Sequence, residues 1–212
     1  MNEPVRVTSA DGLALEGCLD SPDDPAGAVV FCHPHPKMGG TMNAPLLLAV
    51  TEELVERGWA VLRFNFRGIG ASEGEASTGI AEVADGGGGI SFVSERLPNL
   101  PIAIAGWSFG GAVALRAAAK HPEVVACVAI APAVMPKPDI TAGAPAPELF
   151  TFRGPTLLIC GANDDQVSPQ ACRSWAEDAG ARYEEMRGAN HFFWGKYETL
   201  AAKVAEFLDE AV

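Results

Sequence analysis

Residues 102–121 read IAIAGWSFGGAVALRAAAKH, and the fold turns on how this stretch is understood. A continuous apolar run reaches a serine set between glycines, and a strongly helix-forming sequence follows with no linker. A chain that passes from strand to helix this abruptly must strain the residue at the corner. The G-x-S-x-G pattern at Gly106 to Gly110 meets that demand, because the glycines let neighbouring backbone pass close by while the serine takes the strained conformation. Ser108 should then stand exposed at the carboxyl edge of a sheet, with the N-terminus of a helix beneath it.

The pattern alone carries little weight, since GASEG at Gly70 to Gly74 matches it as well. Its context differs. RGIG separates Ser72 from the apolar run ending near Phe66, and the EASTG that follows is turn-like, so Ser72 reads as a loop residue.

Outward from the elbow, short runs rich in valine and isoleucine alternate with longer helical stretches. AGAVVFCHP, GWAVLRFNF, LPIAIAGW, VVACVAIAP and GPTLLICG are each continuous enough to be buried on both faces. Helices are predicted over Ala44–Arg57, Ile80–Arg96, Phe109–Lys120, Pro169–Ala179 and Trp194–Ala211. At the N-terminus, VRVTSADGLALEGCLD reads as a hairpin turning at Asp11-Gly12. The expected architecture is α/β: a mostly parallel sheet of about 7–8 strands with helices on both faces, an N-terminal antiparallel hairpin and right-handed crossovers. A chain of 212 residues fits one domain, 1–212, with no large cap. Two segments depart from the pattern. Gly86 to Gly89 place four glycines inside a predicted helix, which weakens or kinks it and implies close packing against it. Met135 to Pro155, rich in proline and small residues, reads as an irregular excursion before the chain returns to the sheet.

Composition narrows the function. The formal charge is −12 and no cluster of basic residues could follow a phosphate backbone, which argues against nucleic acid as a partner. No apolar run is long enough to cross a bilayer and the N-terminus does not resemble a leader, so the expected location is the cytoplasm, without membrane attachment. Five cysteines without CxxC spacing, mostly within or beside apolar runs, read as reduced, packed thiols. The oligomeric state is not legible; a homodimer is compatible with these features.

A serine hydroxyl needs an adjacent base to act as a nucleophile, and the base needs an orienting carboxylate. In an open α/β sheet these partners follow in the order serine, acid, histidine, on loops after later strands. After Ser108 only His121 and His191 remain. His121 lies at the far end of the helix that follows the elbow, where it reads as a helix-end cap, whereas His191 lies in a loop before the last helix and is the expected base. GANDDQVSP supplies Asp164 and Asp165 after a strand; Asp164, nearer the strand end, is the expected acid. An oxyanion also needs two N–H donors. Phe109, after the nucleophile, offers one. The other should come from FCHPHPKMGGTMN, Phe31 to Asn43, where Pro34 and Pro36 have no N–H and His35 is the expected donor. His33 reads as a buried hydrogen-bonding group. Two histidines without a third ligand do not make a metal site, and no cofactor is expected. Trp107, Phe192, Lys37 and Met38 are expected to border a substrate. Arg63 and Arg67 are expected to pair with nearby carboxylates.

Together HPHPKMGGTMN, AVLRFNFRGIGASEGE, GWSFGG, GANDDQV and GANHFFWGK resemble the α/β-hydrolase superfamily, and more narrowly the small cap-less hydrolases related to dienelactone hydrolase. The resemblance covers nearly the whole chain. It implies a catalytic triad at Ser108, Asp164 and His191 and hydrolysis of a small-molecule ester, with small or short-chain acyl groups suiting an open, shallow pocket. Lactone, thioester or C–C bond hydrolysis by the same groups, or a binding protein on the same fold, are the alternatives.

Overall fold

The computed structural model describes residues 2–212. Eight strands form one sheet: β1 (Asn2–Thr8), β2 (Ala14–Asp20), β3 (Gly27–Cys32), β4 (Trp59–Phe64), β5 (Ile102–Trp107), β6 (Val124–Ile130), β7 (Thr156–Gly161) and β8 (Arg182–Met186). Their spatial order is β1-β2-β4-β3-β5-β6-β7-β8. From β4 across to β8 every pairing is parallel; β2 runs antiparallel to β4 and pairs antiparallel with β1 through the turn at Asp11-Gly12. The predicted hairpin and parallel sheet are both present.

β3, β4, β5 and β7 are buried at every position because helices cover both faces. The helices are α1 (Pro45–Glu56), α2 (Glu82–Arg96), α3 (Phe109–Ala118), α4 (Pro169–Ala179) and α5 (Tyr197–Glu210). α1 and α5 pack on one face around Leu46, Leu54, Val204 and Leu208. The opposite face takes α2, α3 and α4 around Ile90, Leu115 and Trp175. α4 matches its predicted bounds because its ends are chemically marked: the Ser168 hydroxyl accepts the Ala171 N–H, Pro169 opens the first turn, and Gly180 closes the helix at φ 70°. The last helix starts three residues later than its predicted start at Trp194, since Phe193 takes φ 52° and the chain turns through Gly195 before the helix begins at Tyr197.

The four glycines lie inside α2, which runs unbroken through them. All four are buried, and each faces a different neighbour: Gly86 the Ala117 side chain of α3, Gly87 the His121 ring, Gly88 the Thr8 and Ser9 backbone, Gly89 the Val30 side chain of β3. The loss of helix propensity is thus the condition for seating the helix against the sheet and β1 at once. Arg67 and Arg63 pair with carboxylates as expected. Arg67 holds the fully buried Asp85 of α2 at 2.7 Å and Asp11 of the hairpin at 2.9 Å, and Arg63 holds Asp20 at 2.7 Å. His121 does not cap α3; its Nδ1 pairs with Glu123 at 3.0 Å while its Nε2 edge lies over Gly87. Cys18, Cys32, Cys127, Cys160 and Cys172 are free and buried. Among the described residues no helix is long and apolar enough to cross a membrane.

Candidate active site

Parallel strands bring their carboxyl ends to one edge, and four of the loops leaving that edge meet in one cleft. Cys32 lies beside Gly106, Trp107 beside Ile130, and Gly161 beside Met186 in the strand registers. The loops after β3, β5, β7 and β8 therefore start near one another. They carry His35, Ser108, Asp164 and His191.

The elbow is built from both motif glycines. A Cβ on Gly106 would strike the Gly110 backbone, and a Cβ on Gly110 would meet the Cys32 carbonyl carbon at 2.6 Å. Their absence lets β5 run directly into α3 and lets the first turn of α3 lie against the loop after β3. Ser108 takes φ 57° and ψ −114°, a region a residue with a Cβ rarely visits. Its N–H donates to the Ile130 carbonyl at 2.8 Å, and its carbonyl accepts the N–H groups of Ala112 and Ala133, so neighbouring backbone holds the strain in place.

A continuous hydrogen-bonded chain leads from this serine. Ser108 Oγ lies 3.0 Å from His191 Nε2, and His191 Nδ1 lies 2.8 Å from Asp164 Oδ2. The Asp164 carboxylate is wholly buried, and its other oxygen accepts the N–H groups of Gln166 at 2.9 Å and Val167 at 2.8 Å. Those bonds fix the carboxylate, which in turn leaves His191 Nδ1 as donor and Nε2 as acceptor for the Ser108 hydroxyl. The Trp107 indole donates to the His191 carbonyl at 3.2 Å, fixing the histidine loop from behind. Asp165 points to solvent, as do Asp139 and Asp178.

The loop after β3 is stiffened by its own ring and carbonyl groups. His35 Nδ1 accepts the Lys37 N–H at 3.1 Å, the His35 carbonyl accepts Met38 and Gly40, and the Pro36 carbonyl accepts Gly39. His33 is a buried hydrogen-bonding group: its Nε2 accepts the Phe66 N–H at 3.0 Å and its Nδ1 faces the Pro34 carbonyl at 2.6 Å. Burial pushes its pKa down to about 4, so the ring is neutral and Nδ1 is the donor. Among the described residues no group of three metal-binding side chains is assembled.

These loops border a cleft of about 970 Å³. His35, Ser108, Phe109 and His191 line it, with Trp107, Phe192 and Met38 among the apolar walls. Lys37, expected at the site, is exposed and does not line the cleft, whereas Met38, the next residue of the Pro36–Met38 turn, borders the mouth of the cleft while remaining largely exposed. Met135, Ile140 and Thr141 also line it, and sequence reasoning missed them. They belong to the excursion after β6, which folds over the site as a strap. The Arg116 guanidinium donates to the carbonyls of residues 142, 143 and 144, and the Trp175 indole to that of Pro145. A signal was available: the strap leaves the carboxyl end of a parallel strand, where such sheets bind ligands.

Comparison with known proteins agrees with this architecture. Residues 23–154 match the family described as serine aminopeptidase, S33; the matched span includes Ser108 and ends before Asp164 and His191. An uncharacterized protein of Rickettsia prowazekii is 32% identical over 192 residues, 89% of this chain and 80% of that protein. Among solved structures, an alpha-beta serine hydrolase homologue from Coxiella burnetii is 28% identical, covers 97% of each chain and superposes with a TM-score of 0.85. A Xanthomonas campestris protein described as an a/b serine hydrolase without lid is 27% identical over 99% of this chain and 94% of that one, with a TM-score of 0.85. Fold and relatives define an α/β hydrolase of the serine type without a large cap. The chain belongs to the serine aminopeptidase S33 family, and with it to the α/β-hydrolase superfamily.

Proposed function

We propose that the protein is a carboxylic ester hydrolase of the cytoplasm, a single domain that works through Ser108, His191 and Asp164 on a small-molecule ester and without a cofactor. The observation that carries this reading is the unbroken chain from Asp164 Oδ2 through both ring nitrogens of His191 to Ser108 Oγ, at 2.8 and 3.0 Å. In the first step Oγ attacks the ester carbonyl carbon while His191 Nε2 takes its proton. The carbonyl oxygen becomes an oxyanion, which accepts from the N–H groups of Phe109 and His35. Support for the first donor is its place as the opening residue of α3, where an N–H has no intrahelical acceptor. Support for the second is elimination between Pro34 and Gly40: the N–H groups of Lys37, Met38, Gly39 and Gly40 are already taken, and Pro34 and Pro36 have none. Collapse of the intermediate breaks the C–O bond, and His191 returns the proton to the departing alcohol. Water then repeats the sequence on the acyl-enzyme, and the carboxylic acid leaves.

The acyl group is small or short-chain, with the remaining volume of the cleft available to a bulkier alcohol portion. Chromogenic esters of increasing acyl length test the size, and activity rising steadily beyond medium chains would sink the short-chain reading. A fluorophosphonate probe tests the chemistry. One equivalent of label on Ser108, absent from Ser108→Ala, is expected; no label on folded protein would refute an activated nucleophile and favour a binding role.

A further inference from the structure

One ring joins two parts of the site that the backbone does not connect. While His35 Nδ1 accepts the Lys37 N–H within the loop after β3, its Nε2 lies 3.0 Å from the Ile140 carbonyl, 105 residues away at the tip of the strap. With Nδ1 the acceptor, Nε2–H is the donor to Ile140. That tip is a tight turn closed on itself: Lys137 and Thr141 exchange N–H···O bonds of 2.8 and 2.9 Å, and Asp139 sits at φ 59°. Its other anchors lie elsewhere. Arg116 grips the strap at residues 142–144, and the Lys137 ammonium donates to the Gln166 carbonyl at 3.0 Å, on the loop that carries Asp164. The His35 ring also rests against the Phe109 ring, centroids 4.9 Å apart. It is almost fully buried, so neither nitrogen exchanges these partners readily for water.

We propose that the His35 imidazole is a positioning group that sets the oxyanion loop with one nitrogen and the wall of the substrate cleft with the other, so that the fit of a large substrate against the strap is transmitted to the His35 N–H. The proposal rests on the ester-hydrolase reading. It assigns the two nitrogens separable consequences. Losing the Nδ1 acceptor frees the Lys37 N–H and loosens the loop, which lowers kcat for every ester. Losing the Nε2 donor frees Ile140 and the strap tip, which raises KM most for esters long enough to touch Met135 and Ile140.

Two near-isosteric variants divide these effects. An asparagine side chain places an oxygen near the Nδ1 position and keeps the loop bond; a glutamine reaches the Nε2 position and keeps the donor to Ile140. With a short and a long chromogenic ester that share one short acyl group and differ in the alcohol portion, His35→Gln is expected to lower kcat for both by about tenfold, less than the loss of a whole oxyanion donor. His35→Asn is expected to lower the ratio of long-ester to short-ester kcat/KM by roughly fivefold, about 1 kcal/mol of lost binding, through KM. Hydrogen exchange read on residues 135–145 gives an activity-independent measure: protection falls in His35→Asn and is restored in His35→Gln. The same exchange on native protein, before and after fluorophosphonate labelling, covers the case in which a variant does not fold, with protection expected to rise in both the loop and the strap. Equal losses in the same kinetic parameter for the two variants, or a strap whose exchange is indifferent to His35 and to the label, would overturn the proposal. Native protein that takes no label and turns over no ester would sink the hydrolase reading instead, while the exchange comparison still decides the coupling.

Discussion

Gly86 and Gly88 of α2, two residues apart, should respond to alanine in opposite senses. At Gly86 a Cβ would lie 3.5 Å from Ala117 Cβ and 3.8 Å from Ile104 Cδ1, ordinary contact distances in a buried site. Alanine there gains helix propensity of about 1 kcal/mol with no clash. At Gly88 the same Cβ would fall on the Thr8 carbonyl oxygen, with Ser9 Cα at 2.6 Å and the Thr8 carbonyl carbon at 2.9 Å. Those atoms are backbone of the hairpin, so relief requires the helix and β1 to separate. That breaks the fit to α3 and β3 as well. Overpacking of this kind costs about 3 kcal/mol at the upper end of its usual range, which outweighs the same 1 kcal/mol of propensity and leaves a net loss of about 2. For a chain of this size Tm should rise by about 2–4 °C in Gly86→Ala and fall by about 4–8 °C in Gly88→Ala, read by far-UV circular dichroism. A Gly88→Ala protein as stable as the parent, or a Gly86→Ala protein that loses several degrees, would show that the glycines are not set by their neighbours.

Three further outcomes are expected. Asp164→Asn can donate to His191 Nδ1 and so favours the wrong tautomer; kcat at neutral pH should fall by about 10³–10⁴ with KM little changed, and a loss under tenfold would remove Asp164 from the relay. His33 is held neutral with a pKa of about 4, below the roughly 6.5 of an unfolded histidine, so the unfolded chain binds the extra proton first. Its contribution is complete above pH 6.5 and about 3 kcal/mol of it disappears as pH falls from there to 4; urea midpoints measured across that window should slope less in His33→Gln, and an unchanged slope would contradict the assignment. Arg67→Met strands the fully buried Asp85 carboxylate and should cost about 3–5 kcal/mol in urea unfolding, most of it recovered by adding Asp85→Leu. A double variant no more stable than the single one would refute that account.

Legibility differed between parts of the site. Ser108 and His191 could be read from order and context, because a strand that meets a helix at a single serine leaves little geometric choice, and only two histidines follow it. Asp164 against Asp165 was a weaker distinction. What separates them is direction: one carboxylate turns back under the chain to take the Gln166 and Val167 N–H groups and His191, the next faces water. Lys37 and Met38 are both exposed on one tight turn, and only the folded loop decides that Met38 borders the cleft and Lys37 does not. The His35 ring could not be given a role at all, because its partner Ile140 is 105 residues distant.

What the sequence determined by itself was the alternation of buried strands with helices, the hairpin at Asp11-Gly12, and the chain order of Ser108, Asp164 and His191, the residues proposed as nucleophile, acid and base. These are local: hydrophobic period, turn chemistry and the strain of one elbow act over a few residues and leave their mark in composition. Tertiary structure alone decided which neighbour each glycine of α2 meets, that the excursion after β6 folds down as a wall of the cleft, and that His35 faces both the loop and the strap. Those choices depend on contacts between segments far apart in the chain, made only once the sheet has brought its strand ends to a common edge.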